Sequence, residues 1–336
     1  MIISRTPVRV SFLGGGTDYP EYFRNNAGMT LSATIDKYSY VTVSPLGKFF
    51  KHNILLSYSR TELANAVDEI RHPAVRECMK FMGIDGGIEV HYIGDLPART
   101  GLGSSSSFTV GFLHALYACL GRPVDRGRLA SEAVYVEREM IGERVGLQDQ
   151  YACSLGGLLH LSFSRGMRVD ARRLTLPGER LQALQERLLL FYTGVQRRSH
   201  DILEEQIERT KSGEIEPYLG ELASLVPRGI DILCGRGDMS GFGELLHRNW
   251  ILKKKLSSAV SNSRIDRYYE AARKAGAIGG KLCGAGTSGF ILLYVEPGNA
   301  EKVRGALSRL PEVEFSFENE GSTIIFRRTG VALLNQ

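Results

Sequence analysis

The chain has 336 residues, 43% of them hydrophobic and 24% charged, with a formal charge of +5 at pH 7. That size allows two ordinary domains, and the composition is that of a soluble globular protein. The charge is too mild to imply nucleic acid, no basic stripe is interleaved with aromatics, and the longest apolar runs, such as Phe290 to Val295, are far too short to cross a bilayer. Met1 to Val10 carries Arg5, Pro7 and Arg9 without an apolar core and does not read as a secretory signal. Five scattered cysteines (Cys78, Cys119, Cys153, Cys234 and Cys283) form no CxxC or Cys/His pattern. A cytoplasmic protein with reduced thiols is expected, without a zinc site or a disulfide framework.

In chain order, Val8 to Phe12, Leu31 to Ile35, Tyr38 to Val43, Ile54 to Tyr58 and Ile88 to Tyr92 are rich in β-branched and aromatic residues and predict strands. Thr109 to Leu120 and Leu129 to Ile141 predict helices, the first on Phe108, Phe112, Leu116 and Leu120, which recur every fourth residue before Gly121. Gly157 to Phe163 and Met167 to Asp170 predict a hairpin. Arg172 to Glu186 has no strong period and contains Pro177-Gly178, so a junction between domains 1–175 and 186–336 is expected there. The second part opens with an apolar strand, Leu188 to Thr193. Helical patterns follow at Ser199 to Ser212, Pro217 to Gly235, Met239 to Leu256 and Ser263 to Ala275. Strands are expected at Phe290 to Val295, Val313 to Phe317 and Thr323 to Phe326, with a helix from Asn299 to Ser308. Both halves read as α+β, and no internal repeat is present.

The stretch Pro97-Ala98-Arg99-Thr100-Gly101-Leu102-Gly103-Ser104-Ser105-Ser106-Ser107 lies between a patterned strand and a patterned helix. A Gly/Ser loop entering a helix leaves backbone N–H groups free at the positive end of the helix dipole, which suits a phosphate. The serine hydroxyls add donors, and one can ligate Mg²⁺. A linker or a plain helix N-cap is the other reading, and the flanking strand and helix weigh against the linker. The absence of GxxxxGK[ST], H-R-D and D-F-G excludes a P-loop NTPase and a protein kinase. Gly284-Ala285-Gly286-Thr287-Ser288-Gly289 matches GxGxxG, but a strand rather than a helix follows, so a dinucleotide fold is excluded. That loop either allows close backbone approach to a ligand or is a tight turn.

Near the N-terminus a strand delivers Arg9 and breaks at Gly14-Gly15-Gly16, before Thr17 and Asp18. Asp18 is placed to accept hydrogen bonds from substrate hydroxyls, unless Thr17 or Asp18 caps a helix. Glu137 borders the apolar face made by Leu129, Ala133, Val136 and Met140, where a buried carboxylate needs a cation or a donor. Asp149 follows beyond a helix end. Each acid alone reads more often as a surface residue. With the serine loop they supply the ligand and the second carboxylate that metal-assisted phosphoryl transfer requires.

These three regions, in this order, resemble the signature regions of the galactose/homoserine/mevalonate/phosphomevalonate (GHMP) kinase superfamily, over essentially the whole chain. The block from Pro97 through Gly101-Leu102-Gly103-Ser104-Ser105 is the most specific. The resemblance implies a two-domain α+β fold, with an N-terminal ribosomal-protein-like domain, a C-terminal ferredoxin-like domain and a site between them for ATP and Mg²⁺. It implies ATP phosphates on Gly101, Leu102, Gly103, Ser104, Ser105, Ser106 and Ser107, with Pro97 opening the loop, and Mg²⁺ on Ser105 and Glu137. Asp149 matches the catalytic base and Arg9 an arginine beside it that helps stabilise the transferring phosphoryl group. Gly15, Gly16, Thr17, Asp18, Thr193, Arg197, Gly284 and Gly286 are then the acceptor residues, although Thr287-Ser288 replaces residues more often glycine.

Gly14-Gly15-Gly16-Thr17-Asp18 departs from the Gly-Glu-His-Thr-Asp of galactokinases and is similar to the branch containing D-glycero-D-manno-heptose 7-phosphate kinases. Tyr192-Thr193-Gly194 with Arg197, His200-Asp201-Ile202-Leu203, and Trp250, Leu252 and Lys253 are similar to that branch too. The reaction expected from the resemblance is phosphorylation of the anomeric hydroxyl of heptose 7-phosphate to the 1,7-bisphosphate. A fucose- or galactose-type hexose kinase and a non-catalytic sugar or nucleotide sensor are the alternatives. The distal phosphate needs a cationic pocket, for which Arg197, Arg198 and Lys253 are candidates. The expected partners are a sugar phosphate and ATP, not nucleic acid or membrane, and a homodimer is compatible with this reading.

Overall fold

The computed structural model describes residues 1–98, 100–194, 200–286 and 289–328. Eleven strands are found among them: β1 (Ile2–Leu13), β2 (Gly28–Pro45), β3 (Ile54–Ser57), β4 (Thr61–Ala64), β5 (Ile88–Gly94), β6 (Leu158–Ser164), β7 (Arg168–Arg173), β8 (Leu188–Tyr192), β9 (Ala277–Leu282), β10 (Phe290–Val295) and β11 (Thr323–Arg327). They form an eight-stranded sheet, ordered β11-β1-β2-β5-β3-β4 with β6 and β7 running off β2, and a three-stranded sheet ordered β8-β10-β9. The result is the two-domain α+β architecture.

The 18-residue β2 organises the larger sheet. It pairs with β1 along its length, with β6 over Gly28 to Ala33 and with β5 over Ser39 to Pro45. The two strands expected at 31–35 and 38–43 are one strand, because Asp36-Lys37 bulges out where the register slips between Pro7↔Tyr38 and Val8↔Ile35. The expected strand at Val313 to Phe317 makes only isolated bridges, Ile35↔Phe317 and Phe191↔Glu312. β11 pairs with β1, so the larger sheet takes a strand from the far end of the chain.

Helix Ser104–Cys119 is buried on almost every side, which is why its apolar residues exceed one stripe. It packs on β1 and β2 and against helices Pro73–Met82, Arg126–Tyr135 and Gln148–Leu155. One apolar cluster runs from β1, β2 and β6 into helices Glu216–Cys234 and Ser240–Lys253 of the second half, with Phe12 edge-on to Phe242 at 5.6 Å. The two halves therefore present one packed wall to the cleft between them. Among the described residues no helix is long and apolar enough to cross a membrane.

Candidate active site

Helix Ser104–Cys119 starts at Gly103, whose φ of 75° is left-handed, and points its first turn into a cavity of about 400 Å³. Gly101, Gly103, Ser104, Ser105 and Ser106 line that cavity. The loop is pinned from below: Arg9 donates its backbone N–H to the Leu102 carbonyl at 3.0 Å, and Ser107 Oγ donates to the Thr6 carbonyl at 2.9 Å. The third-motif loop packs directly on it. A Cβ on Gly101 would overlap the Cys283 carbonyl, and one on Gly284 would overlap the Gly101 backbone. The glycines at these positions let the two loops touch, backbone to backbone.

Arg9 and Asp149 meet in the cavity. Arg9 Nε donates to Asp149 Oδ1 at 2.8 Å, and Nη2 to Oδ2 at 2.7 Å. Arg9 Nη1 donates to the Gly101 carbonyl at 2.8 Å, which ties the pair to the glycine–serine loop. This bidentate geometry fixes the carboxylate plane. The Arg9 side chain is 5% exposed, while that of Asp149 is 27% exposed and faces the cavity. Asp149 stands in the first turn of helix Gln148–Leu155 rather than beyond a helix end. That short helix was not legible in the sequence.

Glu137 is reached by a local irregularity. The helix expected over 129–141 is α-helical at Arg126–Tyr135 and widens to a π turn over Val136–Met140, closed by Ile141 N–H to the Val136 carbonyl at 2.9 Å. The wider turn buries Val136 and Glu137 together, and Glu137 is 1% exposed. Ser106 Oγ donates to Glu137 Oε2 at 2.9 Å, and Gln150 Nε2 donates to the same oxygen at 2.5 Å. Glu137 Oε1 is buried without a partner. Burial pushes this carboxyl up to about 7. Ser105, which the sequence paired with Glu137, is exposed on the cavity lining, and Ser106 makes the contact.

At the other end, Asp18 is buried and held by the Gly16 N–H at 3.0 Å and the Gln148 N–H at 3.3 Å. Burial, and then the charge of Asp149, raise its pKa. Two lysines complete the lining. Lys253 ends helix Ser240–Lys253 and donates Nζ to the Gly284 carbonyl; burial lowers its pKa to about 8. Lys281, on β9, donates Nζ to the Phe12 carbonyl at 3.2 Å and is lowered well below the usual lysine range, by burial first and by Lys253 next. Sequence reasoning missed Lys281, Ser11, Gln148 and Gln206, which also line the cavity.

Of the residues expected to bind the acceptor, Gly15, Gly16, Asp18, Gly284 and Gly286 line the cavity. Thr17 and Thr193 do not: the Thr17 hydroxyl donates to the Gly14 and Met29 carbonyls, and that of Thr193 to the Gly289 carbonyl. Pro97 is exposed and closes a turn by accepting from Thr100 Oγ1, while Leu102 is core. Arg197, Arg198 and the Thr287-Ser288 pair lie outside the described residues.

Residues 63–157 match the model of the GHMP kinases N terminal domain, and residues 232–312 that of the GHMP kinases C terminal domain. A D-glycero-alpha-D-manno-heptose 7-phosphate kinase of Campylobacter jejuni is 30% identical over 345 residues, covering 95% of this chain and 97% of that protein. A galactokinase of Pyrococcus furiosus is 26% identical over 94% of this chain and 95% of its own length. The crystal structure of a D-glycero-D-manno-heptose 1-phosphate kinase from Bacteriodes thetaiotaomicron superposes with a TM-score of 0.77 at 23% identity, covering 98% of this chain and all of that one, and so shares the fold. Matched in both of its halves and along nearly its full length, the chain belongs to the GHMP kinases, a family of ATP-dependent phosphotransferases with an alcohol group as acceptor.

Proposed function

We propose that the protein is a sugar 1-kinase that transfers the γ-phosphoryl group of ATP to the anomeric hydroxyl of D-glycero-D-manno-heptose 7-phosphate, giving the 1,7-bisphosphate and ADP. The observation that carries the kinase reading is the Arg9–Asp149 pair held against the phosphate loop by Arg9 Nη1 on the Gly101 carbonyl. The heptose reading is supported by the 30% identity with the Campylobacter jejuni enzyme. The two heptose relatives differ in name, one a 7-phosphate and the other a 1-phosphate kinase, so the acceptor position belongs to the proposal.

In this mechanism the ATP phosphates lie on the backbone N–H groups and hydroxyls of Gly101 to Ser107, at the start of a buried helix. Asp149 orients the anomeric hydroxyl and accepts its proton as the oxygen attacks the γ-phosphorus, and the bond to ADP breaks. Arg9 keeps the Asp149 carboxylate aimed and offsets charge on the transferring group. Asp18 binds sugar hydroxyls.

The residues present fit a divalent cation, because Glu137 Oε1 is a buried carboxylate oxygen without a partner. Glu137, with Ser105 or Ser106 of the adjoining turn, would hold it. When bound, Mg²⁺ neutralises charge on the phosphates. Arg197 stays a candidate for the distal phosphate from the sequence alone.

The test is turnover of purified protein with ATP, Mg²⁺ and, in turn, heptose 7-phosphate, unphosphorylated heptose, galactose and fucose. ADP release is coupled to a reporter, and phosphorus NMR locates the new ester. A larger kcat/KM for galactose or fucose sinks the heptose assignment, and no ADP release with any acceptor favours a sensor.

A further inference from the structure

The mechanism above leaves Lys281 without a task, and Lys281 is the most anomalous charge in the molecule. Its side chain is 1% exposed, yet its ammonium has one hydrogen bond, to the Phe12 carbonyl at 3.2 Å. Lys253, 7% exposed, likewise has only the Gly284 carbonyl. The acids nearby are engaged elsewhere: Asp149 is paired with Arg9, and Asp18 is held by backbone N–H groups. Among the described residues the cavity is thus lined by two buried lysines that form no ion pair, although the charge of Asp18 acts on both from a distance. Burying a cation without a counter-charge is costly, which is why burial lowers the pKa of both lysines, and an anion placed in the cavity would favour their charged forms.

The position of Lys281 decides which anion. Its hydrogen-bond partner, Phe12, lies in the strand that leads into the Gly14–Asp18 loop. A Cβ added to Gly15 of that loop would lie 4.0 Å from Lys281 Nζ and 3.4 Å from Ser11 Oγ. Gly14 and Gly16 have left-handed φ angles, but Gly15 does not, so the backbone does not require glycine there. What the missing side chain supplies is room beside the ammonium. The serine loop meets Gly284, so Lys253 is anchored where those two loops touch, while Lys281 is anchored on Phe12 beside the Gly14–Asp18 loop.

We infer that Lys281, supported by Lys253, binds the distal phosphate of a phosphorylated acceptor in the space left by Gly15, and so sets the preference for a sugar phosphate over a free sugar. This rests on the sugar-kinase reading and names the residues that choose the acceptor within it.

The experiment compares kcat/KM for heptose 7-phosphate and for unphosphorylated heptose in wild-type enzyme, Lys281→Met and Gly15→Asp. Lys281→Met removes the charge at similar volume. Gly15→Asp places a carboxylate beside the ammonium, neutralising it and filling the space. Each variant is expected to lower kcat/KM for the phosphorylated acceptor about 10- to 100-fold relative to the free heptose, with KM for ATP nearly unchanged. Thermal melts establish that both are folded, and Gly15→Asp carries the test if Lys281→Met does not fold. Wild-type preference for the free heptose overturns the sugar-phosphate reading and this assignment with it. Wild-type preference for heptose 7-phosphate that survives both variants overturns this assignment alone. So does an equal loss on both acceptors with a raised KM for ATP, which would place Lys281 on the nucleotide.

Discussion

Arg9 and Asp149 hold each other through two short hydrogen bonds, whereas Lys253 and Lys281, lining the same cavity, each rest on a single carbonyl. The phosphate-loop end is finished without a ligand. Its carboxylate is aimed, its loop is tied to β1, and its glycines are in contact with the opposing loop. The lysines carry charge that no described ion pair matches, and on the proposal above a bound anion would settle it. The difference separates two tasks. Chemistry needs a geometry fixed in advance, so the groups that perform it neutralise one another. Selection needs an interaction that only the right molecule completes, so the groups that select stay incomplete.

The largest effect expected from breaking the finished end is that of Asp149→Asn. It keeps the shape but removes the proton acceptor and the charge partner of Arg9, and kcat should fall by ~10²–10⁴-fold. ATP affinity, read by titration calorimetry, should change little; near-wild-type turnover would remove Asp149 from the chemistry. Next comes Glu137→Gln. An amide is a poor ligand for a hard cation, so the Mg²⁺ activation curve should shift to higher concentration with a lower kcat. An unshifted curve would leave Glu137 a structural partner of Ser106 and Gln150.

The serines sharpen the same end. Ser105→Ala should weaken Mg²⁺–ATP dependence with little change in the melting temperature, because Ser105 is exposed to the cavity. Ser106→Ala should cost stability on the order of 1 kcal/mol, by removing a hydrogen bond to a buried carboxylate. The reverse pattern would make Ser106 the ligand.

The smallest effect probes the unfinished end through pH. Burial lowers Lys253 to about 8, against 10.5 as its ordinary value. Between those two pH values the unfolded chain binds the proton that the folded one has lost, so this group makes stability rise with pH there. Below about 8 both states are charged and the folded state bears the full cost of burial. Lys253→Met should therefore melt a few degrees higher than wild type at pH 7 without ligand, and the gain should shrink toward pH 10. A gain that does not vary with pH would mean that packing, not charge, sets it.

The sequence showed the finished end better than the unfinished one, for a physical reason. The serine loop, Arg9 and Asp149 stand in motifs whose spacing follows from backbone geometry at a helix start and a strand end. Lys281 stands in β9, whose Gly279-Gly280 dilutes any strand signal. Gly279 is there because a Cβ would collide with the Gly243 carbonyl of helix Ser240–Lys253, which crosses the strand closely. Packing demanded the residue that hid the strand, and with the strand went its lysine. Helix Gly178–Gln185 was missed similarly: Leu184 alone is buried in it, so no apolar period exists to find. Glu137 and its burial beside the apolar face were legible, but the π turn that carries it was not, because such a turn leaves no mark in a 3.6-residue period.

The strand exchange noted above has a consequence for the order of events during synthesis. β11 pairs with β1 across more than 300 residues of intervening chain. Just before it, the Ser322 hydroxyl meets those of Thr6 and the ring of His114, the latter on the helix that begins at the phosphate loop. A ribosome delivers Arg9 and the serine loop well before this support. The nascent chain thus holds Arg9 and the serine loop for a long stretch of synthesis without the brace beneath them, and on the mechanism proposed above phosphoryl transfer should begin only once residues 322–327 are free to dock.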